Sequence, residues 1–158
     1  MTQEADTQKP DAQRPMQPPE PQPIGFWTAR AAEAVRTRTR GALAEIGLSQ
    51  PEWWVLHQLS IHPDGIDRRT VIETIGHNDT VEAVETALDA AKAKHWVAGD
   101  DTSLRSTDRG AELFERGMQV QRDLQKERMQ GISQDEFVTT ITVLQRTIAN
   151  VGGEAWHW

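Results

Sequence analysis

The 158 residues make room for one domain of ordinary size, with 37% hydrophobic and 26% charged residues to build and solvate a modest core. Lysine and arginine number 17 against 24 acids, a formal charge of −7, which excludes bulk attraction to nucleic acid or anionic membrane and leaves any DNA contact to a local patch. Cysteine is absent, which excludes disulfide scaffolds, thiolate zinc sites, cysteine nucleophiles and thiol redox sensing together.

The first ten residues carry acids and no apolar core, and nowhere do about 18 apolar residues run together. The expectation is a cytoplasmic protein with no secretory leader and no membrane partner. Of the eight prolines, Pro10, Pro15, Pro18, Pro19, Pro21 and Pro23 crowd a stretch rich in glutamine. Proline removes backbone donors and disfavours helix in the residue before it. With almost nothing apolar to bury, residues 1–23 read as a disordered arm, either a passive extension or a functional tail.

From Ile24 the spacing is helical, with Phe26, Trp27, Ala31, Ala34, Val35, Ala42, Leu43 and Ile46 on one stripe and Gly47 as the stop. Ser49 caps the next helix, with Pro51 in its first turn and Glu52 completing a capping box; Trp53, Leu56 and Leu59 form its apolar face beside Val55. His62-Pro63-Asp64-Gly65 is a turn. Asp67 caps a short helix through Val71, Ile72 and Ile75, and Gly76-His77-Asn78 breaks it. Asp79 is expected to start the next helix, burying Val81, Val84, Leu88 and Ala91. Two short helices about a glycine-containing turn are the pattern of a helix-turn-helix. Trp96-Val97-Ala98, an acidic turn, and Ser103-Leu104-Arg105 read as a minimal hairpin. Thr107 caps a long helix with Leu113, Phe114, Gly117, Val120 and Leu124 inward, and Gly131 interrupts it. Ser133 and Glu136 form a second capping box, after which Phe137, Ile141, Leu144, Ile148 and Val151 recur as a seam that helices bury against each other.

A helix-turn-helix followed by a hairpin is a winged helix, so the expected class is mainly α, an α+β winged helix with long helices at both ends. Four motifs stand in order along it: Gly47-Leu48-Ser49-Gln50-Pro51-Glu52-Trp53-Trp54-Val55-Leu56, then Ala87-Leu88-Asp89-Ala90-Ala91-Lys92-Ala93-Lys94-His95-Trp96-Val97, then Ser106-Thr107-Asp108-Arg109-Gly110, and finally Gly131-Ile132-Ser133-Gln134-Asp135-Glu136. Together they resemble the MarR family of winged-helix transcription regulators over residues 24–151. The second motif is similar to the family's Leu-Glu-Ala-Lys-Gly-Leu-Val run at the end of the recognition helix. The resemblance implies residues 24–47 and 107–151 as dimerisation helices, 49–106 as a DNA-binding lobe, and 152–158 as a tail. It also implies a homodimer whose two lobes enter adjacent major grooves of double-stranded DNA at a near-palindromic site, and an effector pocket between the two parts.

On that frame the expected DNA-binding residues are Arg68, Arg69, Asn78, Thr80, Thr86, Lys92, Lys94 and Arg105, and the dimerisation residues are Phe137, Ile141, Leu144 and Ile148. Where the family usually offers serine, threonine and arginine, this chain offers Glu82, Glu85 and Asp89. Carboxylates accept from cytosine but repel phosphates, so two readings stand: a DNA-binding regulator, or a winged helix that works by protein interaction. The bland reading of the cations is ordinary solvated surface. Trp27, Trp54 and His57 are the expected effector pocket, an aromatic slab with a titratable imidazole for a small aromatic or phenolic ligand; packing between helices is the competing role of Trp54. His57 and His62 lack ligand spacing, so no metal is expected. Trp156 and Trp158 either fold back on the dimer or fray. No phosphate loop, nucleophile elbow or metalloprotease pair is present, so neither an enzyme nor a cofactor is expected.

Overall fold

The computed structural model describes residues 16–155. The chain divides into two compact units, one ending at Val35 and the other beginning at Arg36. In the first unit, residues 16–23 form neither helix nor strand and turn where the Gln22 amide donates to the Pro19 carbonyl at 3.0 Å. The Pro23 carbonyl then accepts the Phe26 and Trp27 amides and opens helix α1 (Ile24–Ala44). None of residues 16–35 is buried, and Ile24, Phe26, Trp27 and Val35 each leave more than two-fifths of their surface open. Residues 1–15 of the proline-rich arm, and Trp156 and Trp158 of the tail, lie outside the described residues.

In the second unit α1 buries Thr39, Ala42 and Leu43 and then closes on itself. The Gly47 amide donates to Ala44 and the Leu48 amide to Leu43, with Gly47 at φ 76°. That pairing is a Schellman motif, in which a left-handed residue satisfies two orphan carbonyls. Helix α2 (Gln50–Ile61) carries the expected capping box on Ser49 and Glu52. Helix α3 (Arg68–Ile75) is capped by Asp67; the Thr70 hydroxyl and amide hold that carboxyl below the usual carboxylate range. A 3-10 turn over Gly76–Asn78 leads to α4 (Val81–Ala93), followed by β1 (Val97–Ala98), β2 (Arg105–Ser106), α5 (Asp108–Arg128) and α6 (Gln134–Asn150). The core lies where α2, α3, α4, the hairpin and α5 meet. Val55, Leu56, Val71, Ile75, Val84, Leu88 and Leu104 are fully buried there, each worth about 1.5–3 kcal/mol over exposure.

Three expectations are corrected. Thr80, not Asp79, caps α4: its hydroxyl accepts the Ala83 amide at 3.1 Å, while the Asp79 carboxylate is drawn to Arg40 at 3.1 Å. Val81 is 52% exposed, outside the buried stripe of Val84, Ala87, Leu88 and Ala91. The returning hairpin strand lies one residue later than expected, pairing Val97 with Ser106 and Ala98 with Arg105. Leu104 instead pairs with Ile66, exchanging two backbone hydrogen bonds of 3.0 and 2.8 Å. The Asp100 carboxylate folds the turn by accepting the Thr102 amide and hydroxyl.

Candidate nucleic-acid interface

Helices α3 and α4 and the β1–β2 wing are the parts a winged helix presents to DNA. On α4 the exposed polar side chains are Glu82, Glu85, Thr86 and Asp89. Thr80 spends its hydroxyl on the helix cap, and Asn78 is half-buried in the 3-10 turn. A cleft of about 570 Å³ runs between α3, α4 and the wing, where Arg68 and Arg69 stand among Asp67, Glu73, Glu85 and Asp101.

The cations expected to meet phosphate are already engaged within the chain. Arg68 donates to Asp89 on α4 at 2.7 Å and is 21% exposed, while Arg69 donates to Glu73 one turn along at 2.7 Å. Lys92 reaches Asp101 in the wing turn at 3.1 Å. Lys94 donates to Glu52 at the start of α2 and stands 4.5 Å above the Trp96 ring. Arg105 clamps the Asp64 carbonyl with two donors, at 3.1 and 2.8 Å, fixing β2 to the α2–α3 turn. The Arg69 pair is open to water and therefore weak; Arg68 is the more enclosed. The burial of Glu52 and Gln58 on α2, 4% and 1% exposed, escaped the sequence reading; for Glu52 the Lys94 partner lies 42 residues along the chain.

Of the effector candidates, Trp27 lies in the first unit, edge-on to Phe26 and donating its indole N–H to Gln22 at 3.2 Å. Trp54 and His57 are both half-buried on α2. The His57 ring packs 6.0 Å from Trp53 and 6.1 Å from Phe114, which are themselves stacked 5.2 Å apart. Burial pushes the His57 pKa below the ordinary histidine value, keeping the imidazole neutral near pH 7. Phe114 also walls an open cavity of about 530 Å³ with Ser60, Ser106, Ala111, Glu112 and Glu115.

Helix α6 has no buried residue. Phe137 and Leu144 are half-buried, Ile141 and Ile148 are each 40% exposed, and Val138 and Val143 lie open beside them. Among the described residues no group of three acids or histidines could hold a metal ion, and no helix is long and apolar enough to cross a membrane.

No protein-family model matches the chain, and no curated protein is similar to it at a significant level. Solved structures are. The MarR family protein Rv2887 of Mycobacterium tuberculosis in complex with DNA is 23% identical, over 84% of this chain and 99% of the other, with a TM-score of 0.62. This chain has the fold of the MarR regulators. The same mycobacterial MarR protein with salicylic acid aligns at 24% identity over 79% and 98% of the two chains, TM-score 0.60. CouR from Rhodococcus jostii RHA1 bound to p-coumaroyl-CoA aligns at 21% identity over 80% and 91%, TM-score 0.66. In that fold α3 and α4 form the helix-turn-helix and β1 and β2 the wing.

Proposed function

We propose that the chain is a DNA-binding transcription regulator, acting as a homodimer and as a repressor relieved by a small aromatic ligand. The observation that carries this is the MarR-type fold itself, shared with proteins solved on DNA and with aromatic ligands. The apolar side chains left open on α6 and at the start of α1 suit a second copy of the chain. On DNA, Arg68, Arg69, Lys92 and Arg105 turn from internal acceptors to phosphates, while Thr86 and its acidic neighbours on α4 face base edges and Asn78 and Thr80 lie at the entry of that helix. The ligand sits on the Trp54, His57 and Phe114 side of α2.

The specific observation for the second reading, a winged helix that binds protein instead, is that the lobe's candidate cations are internally satisfied and α4 faces outward with carboxylates. Mobility shifts on a random duplex separate the two. A DNA-binding lobe is tightened on all duplexes by Glu85→Gln and loosened by Arg69→Ala, because each changes the charge beside phosphate. No shift by either the wild type or Glu85→Gln would favour the protein-binding reading.

A further inference from the structure

Glu52 is the one buried carboxylate among the described residues, and its two oxygens do different things. One accepts the Ser49 amide at 2.9 Å, closing the capping box of α2. The other accepts the Lys94 ammonium. The second capping box shows that capping needs no such partner: there Glu136 is exposed and its one oxygen accepts both the Ser133 amide and hydroxyl.

Lys94 stands at the end of α4, its amide closing the helix on the Ala90 carbonyl at 2.9 Å. Its ammonium also covers the ring of Trp96. Trp96 is buried, and its carbonyl accepts the Thr107 amide at 3.0 Å where β1 begins and α5 is capped. One carboxylate at the start of α2 thus holds the end of α4 and the root of the wing. Taking the ammonium away to a phosphate would leave Glu52 buried and charged without a counter-ion, which is costly.

We infer that Glu52 and Lys94 are a positioning pair that sets the angle at which α4 and the wing meet DNA, and that Lys94 is not a phosphate contact. This rests on the reading of α4 as the DNA-reading helix. Positioning and phosphate contact leave different marks. A lost phosphate contact weakens binding to every sequence and lowers the salt slope by about one. A misplaced helix loses the enriched sequence and keeps the rest.

The test uses the full chain, the duplex that the wild type enriches from a random pool, and a random duplex of equal length, each titrated over a salt series. Lys94→Met is expected to lose about tenfold on the enriched duplex, the scale of one mismatched base pair, with the random duplex and the salt slope unmoved. Glu52→Gln keeps the capping box, since glutamine serves at that position, and is expected to show the same loss. The double variant is expected to be no worse than either, and Lys94→Arg to restore the wild-type ratio. Should Lys94→Met fail to fold, the double variant, which has no lone buried charge, carries the measurement; a wild-type ratio there overturns the inference. Equal weakening on both duplexes with a shallower salt slope, and a neutral Glu52→Gln, also overturns it while leaving the regulator reading intact. A wild type that enriches no duplex overturns both.

Discussion

His95 is the only residue other than glycine with a left-handed backbone among the described residues, at φ 60°. It closes α4 as Gly47 closes α1: its amide donates to Lys92 and the Trp96 amide to Ala91. A side chain in that conformation crowds the following carbonyl, and glycine does not. His95→Gly is therefore expected to raise the melting temperature, by the equivalent of a few tenths to about 1 kcal/mol once glycine's looser unfolded chain is set against it. A fall on melting would mean that the imidazole holds the turn. His57 gives a pH signature. Burial keeps its folded pKa below about 6.5, so as the pH falls through that value the unfolded chain takes up a proton that the folded chain resists. Stability is lost on the acid side, and the wild type is expected to lose more melting temperature than His57→Leu between pH 7.5 and 5. Parallel curves would contradict this. Residue roles were legible from sequence where they are local, as with the caps Ser49, Asp67, Thr107 and Ser133, which need only a partner three residues on. The ion pairs Arg68–Asp89 and Lys94–Glu52 were not, since 21 and 42 residues separate their members.

Among elements, α5 is placed by an approach that only glycine allows. A Cβ on Gly117 would stand 2.6 and 2.7 Å from two ring carbons of Trp53. That indole is stacked on Phe114 with planes 4° apart and has no easy retreat. Gly117→Ala is expected to destabilise the lobe by about 1–3 kcal/mol, as overpacking does, read by chemical denaturation; an unchanged midpoint would mean that α5 slides freely. The helices and their order were legible because apolar periodicity and capping both report on them. The wing was only partly so. Its strands are two residues long, too short for alternation to set register, and Leu104 takes its partner from Ile66 before α3, a pairing no local pattern announces.

For the whole molecule, the proposed assembly rests on the seam of α6. Ile141 and Ile148 are exposed at the same spacing that predicted a helix–helix contact, so the proposed partner is another copy of the chain. Light scattering is expected to give about twice the chain mass at micromolar concentration, and Ile141→Asp to return the monomer, because a charge placed in a helix seam must be desolvated. A monomeric wild type would remove the dimer. The helix-turn-helix that carries the candidate site was legible in the sequence pattern, whereas only the fold reveals that Arg68, Lys92, Lys94 and Arg105 find partners 21, 9, 42 and 41 residues away. The central claim, that this acidic winged helix reads DNA, is tested most directly by selecting bound sequences from a pool of random duplexes with the wild-type chain. Enrichment of a near-palindrome whose half-sites lie about one helical turn apart is the predicted result; a pool that stays random through repeated rounds would contradict it.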